Sequence, residues 1–144
     1  MPLVSDQDIK LLLQHSTAVA LVGARAKSER PSYRVMQFLL AQGYSVYPVN
    51  PGQAGLQLLG CEVYPDLASI PVPIDIVDVF RQPQFLMEVV EQAIAIGAKA
   101  IWGQLGVVDH DAASRAEAAG LHVVMDRCPA IEIPRLGLSK SSPQ

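Results

Sequence analysis

Short runs of apolar residues alternate along the chain with longer segments in which apolar positions recur every three or four residues. The short runs are typical of strands buried on both faces of a sheet, and the longer segments are typical of helices with one apolar face. Three of the helical segments end at a glycine, which is a common residue just after the last turn of a helix. The pattern predicts strands at 18–23, 45–49, 61–63, 74–80, 100–104 and 121–125, and helices at 6–14, 31–42, 66–69, 83–96 and 109–119.

This order of elements predicts a doubly wound α/β fold, a single Rossmann-like domain with a mainly parallel sheet. We expect each strand to be joined to the next by a helix long enough for a right-handed crossover between parallel strands. By analogy with folds of this class, we expect the first strand to lie beside the strand at 74–80. We expect the domain to cover residues 1–135 and the Ser-, Pro- and Gly-containing tail, residues 136–144, to be disordered.

Composition narrows the classes of partner. Half of the 144 residues are hydrophobic and the net charge is -3, which argues against a nucleic-acid-binding protein. The sequence begins without a charged and then apolar leader, and its apolar runs are shorter than the ~18 residues that span a bilayer. We therefore expect a cytoplasmic protein that binds no membrane. The two cysteines, Cys61 and Cys128, lack the spacing of a zinc site or of a disulfide framework.

The segment that follows the first strand has the chemistry of a phosphate site. Gly23 allows the backbone to turn and to approach a ligand closely, and Pro31 is a favourable first residue for the helix that follows. Helix N-termini attract anions, and ligands of open α/β sheets bind at the carboxyl ends of the strands. Four of the eleven Lys and Arg residues cluster here in a chain of negative net charge: Arg25, Lys27, Arg30 and Arg34.

The segment nevertheless differs from a dinucleotide site. Gly23 is not followed by the second and third glycines of the G-x-G-x-x-G fingerprint. Asn50 stands at the end of the second strand, where an NAD site usually has a carboxylate for the ribose hydroxyls. A neutral residue suits an adenosine that carries its own 3′-phosphate, because a carboxylate would repel that phosphate. Coenzyme A is the common cofactor of this description.

Several ordered motifs resemble the stand-alone CoA-binding domain family, which is similar to the N-terminal domain of the succinyl-CoA synthetase α subunit. The resemblance covers about residues 5–135, and the chain departs from the family pattern at Gly103, where a larger residue is common. The motifs that carry the resemblance are Gly23-Ala24, Arg30-Pro31-Ser32-Tyr33, Val46 to Pro51, Tyr64-Pro65, Asp75 to Arg81, Trp102 to Gly106, and Val124 to Pro129.

The resemblance implies a CoA site formed by three segments. The turn from Gly23 to Ala26, with Ala24, Arg25 and Arg30, and the helix start at Ser32 and Tyr33 would hold the pyrophosphate, since a guanidinium can donate two hydrogen bonds to a phosphate. Val49, Asn50 and Pro51 would line the adenine and ribose. Phe80 and Arg81 would lie across the crevice, along the pantetheine arm or the phosphates. Packing in the core is the alternative role for Phe80 and Tyr33.

Two further residues lie at the same predicted sheet edge. Gln104 is a candidate hydrogen-bond partner of a ligand amide. Cys128 follows Arg127, whose charge would favour the thiolate, and we expect a mixed disulfide between Cys128 and CoA under oxidising conditions. The alternative for Cys128 is a buried, unreactive thiol.

The sequence shows no catalytic or metal-binding constellation. The three histidines lack metal-ligand spacing, and Asp75 and Asp78 point to opposite faces of their strand, which excludes a paired-carboxylate site there. We therefore expect a protein that binds CoA or an acyl-CoA without catalytic residues of its own. The alternatives are an NAD(P)-dependent oxidoreductase and a regulatory module of a larger acyl-CoA enzyme, whose partner protein the sequence does not identify.

Overall fold

The computed structural model describes residues 2–140. Short 3₁₀ turns at Pro51–Gln53, Leu67–Ser69 and Pro83–Phe85 supplement the regular elements. The helices are α1 (Asp6–Gln14), α2 (Pro31–Ala41), α3 (Leu86–Ala95), α4 (His110–Ala118) and α5 (Pro129–Arg135). The strands are β1 (Ala18–Val22), β2 (Ser45–Val49), β3 (Gln57–Leu58), β4 (Cys61–Glu62), β5 (Ile76–Val79), β6 (Ala100–Gly103) and β7 (His122–Val124).

Five strands form one parallel sheet in the order β2-β1-β5-β6-β7. This order confirms the predicted α/β fold and places β1 between β2 and β5. After β1 the chain forms β2 on one side of β1, and it later forms β5 on the other side of β1. The loops that follow β1 and β5 therefore diverge at the carboxyl edge of the sheet. A crevice at such a point is the usual ligand site of an open α/β sheet.

Helices cover both faces of the sheet. On one face, α3 and α4 pack against alternate strand residues such as Ala20 and Val77. On the other face, α1, α2 and α5 pack against the intervening residues, such as Leu21 and Trp102. Because the sheet is buried on both faces, its strands are almost continuously apolar, as the sequence pattern predicts.

The structure has two elements that the sequence pattern did not predict, strand β3 and helix α5. Strand β3 pairs with β4 in a small antiparallel hairpin whose turn residues, Leu59 and Gly60, both have positive φ. Helix α5 begins at Pro129, where proline sacrifices no helical hydrogen bond, and it buries Ile133 against the second face. The predicted helix at 83–96 starts as the 3₁₀ turn Pro83–Phe85 before α3 begins.

The first part of the predicted tail is packed against the domain. Leu136 and Leu138 contact the core on the α2 and α5 face. The backbone N–H of Lys140 donates to Oε1 of Gln42 over 2.6 Å. These contacts hold the tail against the domain as far as Lys140, where we had expected disorder. Residues 141–144 of the tail lie outside the described residues. Within the described part of the chain, no helix is long and apolar enough to cross a membrane.

A charged cluster joins α5 to the start of α1. The Glu132 carboxylate is buried and accepts hydrogen bonds from Arg127 over 2.7 Å and from Arg135 over 2.8 Å. Arg135 also reaches Asp6 over 2.9 Å. The hydrogen bonds from Arg135, assisted by those from Arg127, hold the pKa of Glu132 below its usual value despite its burial.

We predict that Glu132→Gln lowers the free energy of unfolding by about 1.5–3 kcal/mol at neutral pH, the range for hydrogen bonds to charged groups. A lowered pKa stabilises the fold above the unfolded-state pKa, so the wild-type advantage should shrink as pH falls below about 4. Urea unfolding at several pH values measures both effects. As a control, Glu91→Gln breaks the exposed Arg115–Glu91 pair and should cost only about 0–1 kcal/mol. Equal losses in the two variants would contradict this role of Glu132.

Candidate functional site

A crevice of about 310 Å³ opens at the carboxyl edge of the sheet, between the loops that follow β1, β2 and β5. Its position is the one expected from the strand order. Its floor is apolar and its rim carries charges of both signs. The lining residues are Val22, Gly23, Arg25, Val49, Asn50, Pro51, Pro65, Asp66, Phe80, Arg81, Glu88 and Gln92.

Gly23 allows the loops after β1 and β5 to meet. Its φ is +92°, and a Cβ at this position would lie 3.1 Å from the Phe80 carbonyl oxygen and 3.3 Å from Cγ of Arg81. A side chain here would both strain the backbone and push the two loops apart. The glycine that the sequence singled out is therefore required by the shape of the crevice.

The backbone donors of the same turn are already bonded within the protein. The N–H groups of Gly23 and Ala24 both donate to the Val49 carbonyl, over 3.0 and 3.2 Å. The N–H of Arg25 donates to Oγ of Ser32, a buried residue at the start of α2. These three bonds fix the turn to β2 and α2, so the three N–H groups are not available to a phosphate. The turn's charged group in the crevice is the Arg25 side chain.

Asn50 ties the loop after β2 to the loop after β1. Its Nδ2 donates to the Ala24 carbonyl over 2.7 Å, and its Oδ1 accepts from the Gly52 N–H over 2.9 Å. Both functions of the amide are needed, because an aspartate could not donate to the carbonyl. Asn50 lines the crevice as expected, and Val49 and Pro51 lie with it.

Arg81 is held at the opposite wall of the crevice. Its guanidinium lies 4.1 Å from the centre of the Phe85 ring, and it approaches the Glu88 carboxylate to 3.7 Å. Phe80 has both of the expected positions, because it lines the crevice and also packs against the core.

Four named residues of the predicted pyrophosphate segment lie outside the crevice lining, and one of them, Ala24, is buried in the core. Arg30 is exposed and is the N-cap of α2, with no side-chain cap hydrogen bond. Tyr33 packs against the core, which was the alternative role considered for it. Ser32 is buried and holds the Arg25 backbone, as described above.

Gln104 and Cys128 lie together inside the fold. Gln104 Nε2 approaches Cys128 Sγ to 3.7 Å, and both residues are buried. The Arg127 guanidinium is paired with Glu132, while its carbonyl accepts from the Trp102 indole. Burial raises the pKa of the Cys128 thiol. The expectation that Arg127 favours a thiolate is therefore wrong, and the geometry favours a packed, unreactive thiol over a mixed disulfide.

The burial of Asp78 without a described hydrogen-bond partner is a feature that the sequence did not predict. Asp78 lies in the middle of β5, opposite Leu21 on one side and Trp102 on the other. The residue is fully buried, and among the described residues neither carboxyl oxygen has a hydrogen-bond partner. Burial raises the pKa of Asp78 well above its usual range. The signal in the sequence is an aspartate within an apolar strand, and it gives no information on partners.

A second concavity, of about 700 Å³, lies at the opposite, amino edge of the sheet. It is larger than the crevice but mostly apolar, and it is bounded by residues of α1 such as Leu11 together with Lys99 and His122. We favour the crevice as the ligand site because ligands of open α/β sheets bind at the carboxyl edge. Within residues 2–140, no cluster of three or more His, Cys, Asp or Glu side chains is suited to hold a metal ion.

Comparison with known families gives one match that spans most of the chain. Residues 17–134 match the family model described as CoA binding domain. These residues include the whole parallel sheet, the crevice and α2 to α4, so the match covers every element that forms the candidate site.

Individual relatives agree with the family match. The uncharacterized protein YneT of Bacillus subtilis is 36% identical over 124 residues, which are 86% of this chain and 90% of YneT. The α subunit of acetate–CoA ligase (ADP-forming) I of Pyrococcus furiosus is 29% identical over 62% of this chain, but only 21% of that subunit is covered. The structure of a hypothetical protein from Pyrococcus horikoshii has a TM-score of 0.88 at 42% identity, covering 94% of this chain and 96% of that one.

We predict that Asp78→Asn stabilises the protein increasingly as pH rises. The raised pKa means that the unfolded chain ionises at lower pH than the folded one, so the wild type loses stability as pH rises above about 4. Asparagine has the same shape and does not ionise. The two proteins should be equally stable near pH 4 and should diverge towards pH 7 in urea unfolding.

Asp75→Asn is the matched control for this prediction. Asp75 accepts hydrogen bonds from the N–H groups of Thr17 and Ala18 and pairs with Lys99 over 3.2 Å. Its replacement should destabilise the protein at neutral pH. A pH-independent difference between Asp78→Asn and the wild type would show that burial does not raise the pKa of Asp78.

Proposed function

The chain belongs to the CoA binding domain family, and from this membership we propose that it binds coenzyme A in the crevice at the carboxyl edge of its sheet. The observation that carries the proposal is the close approach of Gly23 to Phe80 beside two arginines. Because Gly23 has no side chain, the two loops meet here and the arginine side chains of Arg25 and Arg81 line the same crevice, where their guanidiniums could donate hydrogen bonds to a phosphate.

The lining residues fit the charged end of the ligand. Arg25 belongs to the β1–α2 loop and Arg81 to the β5–α3 loop, and both line the crevice. The carboxylates Asp66 and Glu88 also line the crevice, and Glu88 lies against Arg81. Because Glu88 lies against Arg81, the phosphates would bind beside Arg25, whose loop also carries Lys27 and Arg30.

The adenosine would lie against the end of β2. Val49 and Pro51 supply apolar contact, and Asn50 supplies a neutral polar group where a carboxylate would repel a 3′-phosphate. A cavity of about 310 Å³ is at the lower end of the range for small-molecule pockets. The crevice would hold only part of CoA, and the pantetheine arm would extend along the sheet edge.

The role proposed for the crevice is binding without covalent catalysis. Among the described residues that line it there is no histidine, serine or cysteine, so a nucleophile with an adjacent base is missing there. A partner protein could supply chemistry to the bound ligand, as in the regulatory-module alternative.

We predict that calorimetry finds CoA binding in the micromolar range, about -8 kcal/mol, and at least about tenfold weaker binding of NAD and NADPH. Missing fingerprint glycines and the neutral Asn50 both disfavour the dinucleotides. Equal or tighter binding of either dinucleotide would favour the oxidoreductase alternative and reject the proposal.

The same titration locates the site. Arg25→Ala should weaken CoA roughly tenfold or more, the range for lost hydrogen bonds to a charged group. Lys10→Ala removes a positive charge from α1 and should leave the affinity unchanged, which separates a local contact from a general loss of charge. Arg30→Ala measures whether the residue before α2 also reaches the phosphates. An unchanged CoA affinity in Arg25→Ala would place the ligand elsewhere.

A further inference from the structure

We propose that the β6–α4 loop is a subsite for an apolar acyl chain, so that the ligand of this protein is an acyl-CoA in preference to free CoA. This inference rests on the proposed CoA binding described above. Leu105 is 60% exposed and Val108 is 36% exposed, both in a loop at the carboxyl edge of the sheet. Residues 104–108 carry no charged side chain.

The loop is held in one conformation. A Cβ on Gly103 would lie 2.5 Å from the Val107 carbonyl oxygen, so the chain folds back directly over the glycine. The Val107 N–H donates to the Gln104 carbonyl, and the Gly106 N–H donates to Oδ1 of Asp126, each over 2.8 Å. Leu105 is therefore exposed by a fixed turn, and a ligand that covers it need not first order the loop.

This turn adjoins the crevice. The Gln104 N–H donates to the Val79 carbonyl over 3.2 Å, which joins the ends of β5 and β6. Leu105 follows Gln104 directly, and Phe80, which lines the crevice, follows Val79. Because neighbouring strands are about 4.8 Å apart, a chain that leaves the crevice past Phe80 meets the Leu105 turn next.

The loops along the carboxyl edge of the sheet differ in charge in the order that an acyl-CoA requires. The β1–α2 segment carries Arg25, Lys27, Arg30 and Arg34 against the single acid Glu29. Residues 104–108 of the β6–α4 loop carry no charged side chain, whereas Asp109, at the end of the loop, is the N-cap of α4. Asp126 of the next loop accepts from the Gly106 N–H. A ligand with a polyanionic head and an apolar tail matches this order of surfaces, with its head at β1 and its tail at β6.

Free CoA has no group that needs an apolar surface at its far end, because its thiol is small. A covering protein surface is the other possible partner of Leu105. The two occupants differ in one measurable respect, since only an acyl chain makes affinity for the purified protein depend on chain length.

The experiment is a calorimetric titration of the purified full chain with CoA, acetyl-CoA and octanoyl-CoA. We expect octanoyl-CoA to bind at least about tenfold more tightly than CoA, equivalent to about 1.4 kcal/mol. Leu105→Ser should reduce that ratio to within about twofold and leave the affinity for CoA itself unchanged. Leu56→Ser is the matched control, because Leu56 is 61% exposed and lies in the β2–β3 connection.

Several outcomes would overturn the subsite. They are an octanoyl-CoA affinity equal to that of CoA, a chain-length preference that survives both Leu105→Ser and Val108→Ser, or an equal loss in Leu56→Ser, which would indicate non-specific adsorption. In each of these cases CoA still binds and the proposed function stands. Failure of all three ligands to bind would instead reject the proposed function.

Discussion

The close approach of the Gly23 backbone to the Phe80 carbonyl is the constraint on which the candidate site depends. Strands β1 and β5 are neighbours in the sheet, but the loops that leave them lead to helices on opposite faces. Only a residue without a side chain, at positive φ, lets these loops meet. Asn50 then bonds the third loop to the first through the Ala24 carbonyl. The crevice is thus formed by the close approach of two backbones and by the Asn50 side chain, and its charges come from Arg25, Arg81, Asp66 and Glu88.

Two buried carboxyl groups, Glu132 and Asp78, lie in opposite electrostatic environments. Glu132 is buried with two arginines, and their hydrogen bonds favour its ionised form. Asp78 is buried with no described partner, and burial favours its neutral form. The first group contributes stability above its pKa, whereas the second costs stability as pH rises. The two groups therefore contribute to the pH dependence of stability in opposite senses.

Much of the fold could be predicted from the sequence, because buried parallel strands are continuously apolar and three helices end at glycines. Gly23 could also be predicted, since it follows the first strand of such a sheet. The engagement of its N–H with Val49 could not, because that bond depends on how two distant segments meet. The β3–β4 hairpin is too short to show a periodicity, and the pairing of Arg127 with Glu132 rather than Cys128 depends on the direction of a helix that the pattern did not reveal.

The central claim is that the crevice between the loops after β1, β2 and β5 holds the phosphates and adenosine of CoA. A crystal structure of the protein with CoA tests it most directly. It should show a phosphate within hydrogen-bonding distance of the Arg25 guanidinium and the adenine against Val49 and Pro51. CoA bound instead in the concavity at the amino edge, beside Leu11 and His122, would contradict the claim.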